Sequence, residues 1–289
     1  MEGKNFIGID VGGTSVKAGI VRDLRVIEDL DVPTPKTRHK FDDVVSKIIR
    51  ILCAKAEIEA IGFGVPGLVD YKKGKVIYCP NLEFDIDEIK TDLPIYIGND
   101  ADMALVGEME FRPKDKGKTI AILTLGTGLG GAISVAGKMP YELNLAGEIG
   151  HMKIVANGKK CSCGQKGCLQ AYASGRAIEE ESGGDNVINV FKAAEEGERK
   201  AQKIIYEFSE MLGIGIANLV NVLGVEKVIL AGKIAKSAET LFKFMHESDK
   251  NNIFAFDSRP FSIEVSKNID EIGIIGAARF AKIKHFDKR

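Results

Sequence analysis

The sequence predicts an α/β protein of two lobes, and three observations carry that expectation. Two stretches, "FIGIDVGGTSVKAGIV" (6–21) and "TIAILTLGTGLGGAISVAG" (119–137), read as one duplicated unit of strand, glycine turn and strand. Strand-like and helix-like apolar patterns alternate after each copy. At 289 residues the chain is long enough that two packed units are expected. No short period recurs, which separates a duplication from a solenoid. Two such lobes imply a cleft between them.

"FIGID" and "VKAGIV" are strands around the turn "VGGT", where β-branched residues flank glycines able to take positive φ. "RVIEDLDV" adds a third strand and completes a meander. The apolar spacing of "FDDVVSKIIRILCAKA" (41–56) is helical, and "AIGFGVPGLVD" (60–70) reads as a buried strand ending in a Pro-Gly turn. "PIYIGND" (94–100) is a short strand that leads into the helix "ADMALVGEMEF". The charged, breaker-containing stretch "RPKDKGK" (112–118) is the candidate linker. It divides a smaller N-terminal lobe, 1–112 with 272–289, from a larger lobe, 113–271, that carries a Cys-rich loop. The larger lobe continues with a helix from about Leu169, a long helix from Glu198 to Leu223 and the strand "KVILAG". Another helix, the strand "FSIEV" and a terminal helix "IGIIGAARFAKIKHF" follow.

Hydrophobic residues make up 45% of the chain and charged residues 28%, with a formal net charge of −1. No polybasic field is present for nucleic acid or an anionic membrane, so a small-molecule partner is expected. "MEGKNFIGID" has no basic n-region or cleavage site, and no apolar run reaches spanning length. The expected location is the cytoplasm, where thiols stay reduced and clustered cysteines favour a metal over a disulfide. Cys53 and Cys79 stand apart and read as small apolar residues.

Glycine turns let backbone N–H groups converge on an anion. "DVGGTSVK" offers Gly12, Gly13, Thr14 and Lys17 for this purpose, and "LGTGLGG" offers Gly126, Thr127 and Gly128. The Thr14 and Thr127 hydroxyls serve either phosphate oxygens or the turns themselves, and Lys17 reads equally as an outward-facing side chain. Asp10, at a strand end, is placed to face a Mg²⁺ that bridges nucleotide phosphates, or to bond its own turn. As a pair the turns resemble the two phosphate-binding loops of the actin, sugar kinase and heat-shock ATPase superfamily. A Walker-type Gly-Lys-Ser and a strand–GxGxxG–helix unit are both missing, which disfavours the commoner nucleotide folds.

"GNDADMALVGE" puts Asn99 and Asp100 where a strand gives way to a helix. Asp100 is there either an N-cap or a carboxylate poised to take a hydroxyl proton. "AGEIGH" exposes Glu148 and His151 between glycines. His151, Cys161, Cys163 and Cys168 make a Cys₃His complement, which fits a closed tetrahedral, structural zinc better than free thiols or an iron–sulphur cluster.

"DVGGTSVKAGIV", "GVPGLVD", "GNDADMALVGE", "LGTGLGGAI", "AGEIGHM" and "CSCGQKGCLQAYASG", in that order, resemble the ROK family of bacterial sugar kinases and sugar-responsive repressors. The resemblance runs from Phe6 to about Arg279. It implies a two-lobed actin-like ATPase fold of duplicated ribonuclease-H-like units, ATP with Mg²⁺ as donor, and the 6-hydroxyl of a hexose, most readily glucose, as acceptor. Asp100 would be the general base, with Asn99, Glu148 and His151 holding sugar hydroxyls and the second ring nitrogen of His151 facing the sugar. Gly67 would place backbone against the sugar. Asn81 is a weaker candidate that reads equally as a loop residue bonding its own backbone. Gly232, in "ILAGKIAKS", lies in the nucleotide-side motif, and the family suggests a dimer or tetramer.

Three positions depart from the family pattern. Gln170 stands where a Glu usually accepts hydroxyl bonds near the anomeric end, so the resemblance makes it a sugar contact, where an amide adds a donor while removing a charge. Lys233 replaces a glycine beside the nucleotide motif, and "KMPYELNL" lacks a glycine often found before "AGEIGH". Kinases for fructose, mannose or an N-acetylated amino sugar are the alternatives within the class. Outside it lie a repressor, which would carry a helix-turn-helix arm ahead of Asp10, and a sugar-sensing protein without turnover. The Asn99–Asp100 pair and both glycine turns speak against the latter.

Overall fold

The computed structural model describes residues 3–79, 89 and 91–287; Asn81 lies outside the described residues. In chain order the elements are β1 (Phe6–Val11), β2 (Ser15–Arg22), β3 (Arg25–Pro33), α1 (Arg38–Cys53), β4 (Ala60–Val65), β5 (Leu68–Asp70), β6 (Lys75–Tyr78), β7 (Ile95–Asn99) and α2 (Asp100–Glu110). There follow β8 (Ile120–Leu125), β9 (Leu129–Ser134), α3 (Pro140–Leu143), α4 (Gly175–Ser182), α5 (Val187–Glu195), α6 (Arg199–Leu223), β10 (Lys227–Ala231), α7 (Ala238–Asn252), β11 (Ser262–Val265) and α8 (Ile272–Asp287). Among the described residues no helix is long and apolar enough to cross a membrane.

The chain forms two compact units. Unit 1 is Met1–Lys116, Lys138–Ala146 and Asp270–Arg289; unit 2 is Gly117–Gly137 and Gly147–Ile269. Unit 1 holds a five-stranded sheet in the order β3-β2-β1-β4-β7, with the first hairpin and β3 antiparallel and β1, β4 and β7 parallel. Unit 2 holds a four-stranded sheet in the order β11-β10-β8-β9. There β8 and β9 are antiparallel, while β10 runs parallel to both β8 and β11. Each sheet therefore opens with the hairpin that the repeated sequence predicts.

In unit 1, α1 covers one face of the sheet with Phe41, Val45, Ile48, Ile49 and Leu52, packed among Ile7, Ile9 and Phe63. The other face is covered by α8, and that contact is unusually close. A Cβ on Gly62 would lie 1.9 Å from the Ala277 carbonyl oxygen, and one on Gly276 1.7 Å from that of Met103. These two glycines bring β4, α8 and α2 to backbone contact and so fix the N-terminus of α2 against the sheet.

Local details differ from the sequence reading. The first helix starts three residues early, because Phe41 N–H already bonds Thr37 O (3.0 Å). The helix expected from Leu169 is a single 3₁₀ turn, Leu169–Ala171. Two helices follow it: α4, capped by Ser174 Oγ, and α5, capped by Asn186 Oδ1, parted by Gly183 (φ 92°) and Gly184 (φ 103°). Residues 138–146 group with unit 1, whereas the sequence reading keeps them in the second lobe. Tyr71 N–H donates to Asn144 Oδ1 (2.9 Å), and the Tyr141 ring packs on Phe280 with centroids 5.4 Å apart.

Candidate functional site

In unit 1 the parallel register sets Asp10 beside Gly64, Gly64 beside Gly98, and Val65 beside Asn99. Asp10 and the Asn99–Asp100 junction thus share the carboxyl edge of the sheet, two strand spacings or about 10 Å apart. That edge is where open α/β sheets bind ligands. Asp10 is half-buried, and burial pushes its carboxyl up to about 6, against the pull of Lys17 and with a further push from Asp31. These three charges lie side by side across β1, β2 and β3. Lys17 Nζ is tied to the Asp270 carbonyl (3.1 Å). The Asp10 carboxylate rests on the first turn of α8, where a Cβ on Gly273 would lie 2.5 Å from Oδ2.

The turn after Asp10 is held from outside: Thr34 Oγ1 donates to Gly12 O (2.6 Å) and Thr34 N–H to Thr14 O (3.1 Å). Gly12 and Gly13 do not have positive φ, contrary to the reason the sequence offers for them. At exposed Gly13 a Cβ would meet nothing within 4 Å. Neither backbone strain nor packing requires that glycine, and what it leaves is open room beside Asp10.

Asn99, not Asp100, caps α2. Its Oδ1 accepts Asp102 N–H (3.1 Å), its Nδ2 donates to Gly67 O (3.0 Å), and its own N–H donates to Tyr71 Oη (2.9 Å). Capping therefore does not account for Asp100, which stands as the first helical residue, half-buried, with Oδ1 accepting Ala101 N–H (2.9 Å). Gly67 lies hard against β6, since a Cβ there would fall 2.3 Å from Tyr78 O. Tyr71, which no motif marked, donates to buried Asp102 Oδ2 (2.6 Å). Burial, then the charges of Asp102 and Asp100, raise its phenol well above the ordinary range, so Tyr71 remains a donor. Its only sequence signal is its place after a strand, which does not reveal a contact 31 residues away.

In unit 2 the turn Gly126–Gly128 is clamped by the start of α4. Gly175 N–H donates to Gly126 O (2.8 Å) and Arg176 N–H to Thr127 O (3.1 Å). Because C=O and N–H are antiparallel across a trans peptide, the N–H groups of Thr127 and Gly128 point away from α4. Two successive N–H groups on one side are the elements of an anion nest. Gly232 (φ 83°) abuts the same strand end, where a Cβ would lie 2.4 Å from Leu125 O; Lys233 beside it is exposed. The "GEIGH" segment packs on this hairpin too, with Gly150 against Leu129 O, which leaves Glu148 exposed and His151 half-buried. Gln170 reaches the turn itself: Oε1 accepts Leu129 N–H (3.1 Å), and Nε2 donates to Ser162 Oγ (2.9 Å).

His151, Cys161, Cys163 and Cys168 converge, with their ligand atoms all within 4.8 Å of one another. Cys161 Sγ lies 3.8 Å from His151 Nδ1, and Cys163 Sγ 3.7 Å from Cys168 Sγ. Zinc–sulfur bonds of about 2.3 Å in a tetrahedron give S···S edges of about 3.8 Å, so the spacing fits such an ion. Burial pushes the Cys161 thiol up to about 11. Burial acts on Cys163 as well, but the N–H of Gln165 and the neighbouring thiols hold it below the usual thiol range. A bound divalent cation would deprotonate all three. Lys153 Nζ, 3.1 Å from Cys168 Sγ, balances the net negative charge that three thiolates and a dication would leave. The imidazole turns Nδ1 to the cluster.

The chain is similar to known proteins over most of its length. The ROK family model matches residues 6–284. A glucokinase of Halalkalibacterium halodurans is 30% identical over 278 residues, covering 84% of each chain. A xylose repressor of Caldicellulosiruptor bescii is 33% identical over 264 residues, covering 83% of this chain and 66% of the repressor. Among solved structures, a ROK family glucokinase from Streptomyces griseus in complex with glucose and AMPPNP superposes with a TM-score of 0.85. It is 27% identical, and the match covers 96% of this chain and 99% of that one.

Proposed function

The chain belongs to the ROK family, and on that premise we propose that it is an ATP-dependent hexose kinase that phosphorylates the 6-hydroxyl of glucose. Its fold is the actin-like ATPase fold of the ROK kinases. The observation that supports the catalytic reading is the cap of α2: Asn99 fills it, which leaves a role beyond capping open to the adjacent, half-buried carboxylate at the carboxyl edge of the sheet. A general base fills that role. Asp100 accepts the proton of the attacking hydroxyl as the phosphoryl group transfers, and the ties from Asn99 to Gly67 and Tyr71 hold the junction in place. Asn99, Glu148 and His151 bind sugar hydroxyls in this reading, with the Gly67 backbone; Asn81 remains an expected contact outside the described residues.

Asp10, Gly12, Gly13, Thr14 and Lys17 serve the nucleotide phosphates in this reading, and Gly126, Thr127, Gly128 and Gly232 are likewise assigned to the nucleotide. Mg²⁺, when bound with ATP, neutralises charge developing on the phosphoryl oxygens. Asp10 orients it, directly or through water. His151, Cys161, Cys163 and Cys168 would hold a zinc ion as a closed structural set, which would fix the His151 ring and leave Nε2 for the sugar. The reading also takes the protein to be a cytoplasmic homo-oligomer. Glucose is preferred because the glucokinase relatives and the glucose-bound S. griseus enzyme support it.

A coupled ADP assay over glucose, fructose, mannose and N-acetylated amino sugars tests the substrate. Asp100→Asn should lower kcat about 10²–10⁴-fold while hexose affinity, measured by calorimetry, stays within a few-fold. Turnover near the wild-type rate in that variant would remove Asp100 from the role of base.

A further inference from the structure

We propose that Thr34 is a positioning residue for the nucleotide: it holds the first glycine turn open, so that the backbone N–H groups of Gly13 and Ser15 stand ready for phosphate. The proposal rests on the kinase reading, in which that turn receives phosphate. Thr34 lies outside every motif that carries the family resemblance.

The hairpin of β1 and β2 stops one bond short of closure. Val11 and Val16 are its last paired residues, and beyond them Gly12 N–H donates to Ser15 O (2.9 Å). In a closed antiparallel turn the same two residues would exchange a second bond, from Ser15 N–H to Gly12 O. Among the described residues that bond is missing. Gly12 O accepts the Thr34 hydroxyl instead (2.6 Å), and Ser15 N–H has no acceptor.

Thr34 also holds the turn through its own backbone, where its N–H donates to Thr14 O (3.1 Å). One residue thus engages both carbonyls, Gly12 and Thr14. Because C=O and N–H are antiparallel across a trans peptide, the N–H groups of Gly13 and Ser15 face away from Thr34. Two N–H groups on one side of a turn, without an internal acceptor, are the elements of an anion-binding concavity. Exposed Gly13 has no side chain to cover them.

The sequence stiffens Thr34 for this task, since Pro33 and Pro35 flank it. A proline fixes its own φ and pushes the residue before it towards extended backbone. Pro33 pairs with Ser15 at the end of β3, and the Thr34 N–H bond to Thr14 continues that ladder by one step. The hydroxyl therefore reaches Gly12 from a backbone with little freedom to lose. A valine of the same shape would release Gly12 O to Ser15 N–H, and the turn would close.

The test compares wild type, Thr34→Val and Thr34→Ser. Amide hydrogen exchange, read residue by residue by NMR, follows Gly13 and Ser15 with and without AMPPNP and Mg²⁺. Calorimetry gives the AMPPNP Kd, and steady-state kinetics give kcat and KM for ATP and hexose. In wild type the Ser15 amide should exchange rapidly and become protected when AMPPNP binds. Thr34→Val should protect Ser15 before any nucleotide is added and raise the ATP KM and AMPPNP Kd about tenfold, with hexose KM within about twofold. Thr34→Ser keeps the hydroxyl and should restore both nucleotide constants to within about threefold of wild type. A threonine that only stabilised the fold would lower the Tm without moving the Ser15 amide or separating the two KM values.

A Ser15 amide already protected in nucleotide-free wild type would overturn the proposal, and that measurement needs no variant to fold. So would Thr34→Val with wild-type AMPPNP affinity, or with hexose KM raised as far as ATP KM. A wild type that neither binds AMPPNP nor phosphorylates any hexose would instead overturn the kinase reading, while the Ser15 exchange rate would still report whether Thr34 holds the turn open.

Discussion

Asp10 holds its charge against its surroundings. Its folded pKa is about 6 where an exposed aspartate has 3.8, so only well below pH 3.8 are the folded and unfolded chains both protonated, and there no penalty arises. As pH rises from about 4 through 6, the folded protein must ionise a desolvated carboxylate, and stability is lost. Each tenfold weakening of the acid is worth about 1.36 kcal/mol, which sets that loss at about 1–3 kcal/mol at pH 7 once partial exposure is allowed for. Asp10→Asn should therefore raise unfolding stability by that amount at about pH 7.5, by much less at about pH 4.5, and still abolish most kinase activity. Denaturant titrations at the two pH values check this; a variant less stable than wild type at the higher pH would show that the carboxylate is compensated in the free protein. A strand-end Asp before two glycines is legible in the sequence because the pattern is local. Its raised pKa is not, since it depends on Asp31 two strands away and on the first turn of α8.

At the level of elements, the N-terminus of α2 depends on a residue outside the helix. Tyr71 links Asn99 N–H to Asp102 Oδ2 and reaches Asn144 through its own N–H. Tyr71→Phe keeps the ring against Phe280, where centroids lie 5.8 Å apart, but removes the hydroxyl from both bonds. The expected loss is about 1–3 kcal/mol in unfolding free energy, since Asp102 is buried. Because the same hydroxyl steadies the Asn99–Asp100 junction, kcat should fall more than hexose KM rises. Chemical denaturation and steady-state kinetics measure the two effects, and an unchanged unfolding curve would show the link to be idle. Strands and long helices are readable here because their periodicity is continuous, as in β1, β4 and α6. The segment after Cys168 reads as one helix because Ser174 and the Gly183–Gly184 pair punctuate an apolar pattern too short to show its own breaks.

The whole molecule is assembled from segments that alternate between two units, three for unit 1 and two for unit 2. The terminal helix pattern nearly locates the long-range crossing at Asp270. The short return at 138–146 has no such marker, because what binds it to unit 1 is the Tyr141–Phe280 contact, far apart along the chain and without a local signature. The convergence of His151, Cys161, Cys163 and Cys168, by contrast, is legible: their spacing is local and their residue types are rare in this chain. Its place in the larger scheme yields a prediction about stability. Backbone bonds around the cluster are short-range, such as Cys161 N–H to Gln165 O (2.8 Å) and Gly164 N–H to Cys161 O (3.0 Å). In the zinc reading a bound ion would add a hold on this loop beyond those local bonds. Protein purified without added metal should contain about one zinc per chain by elemental analysis. A strong chelator should lower the Tm by at least several degrees, and stoichiometric zinc, not magnesium, should restore it, because magnesium avoids thiolate ligands. If a metal-free preparation melts at the same temperature as the untreated protein, the four side chains converge without holding the fold, and the structural role assigned to zinc fails.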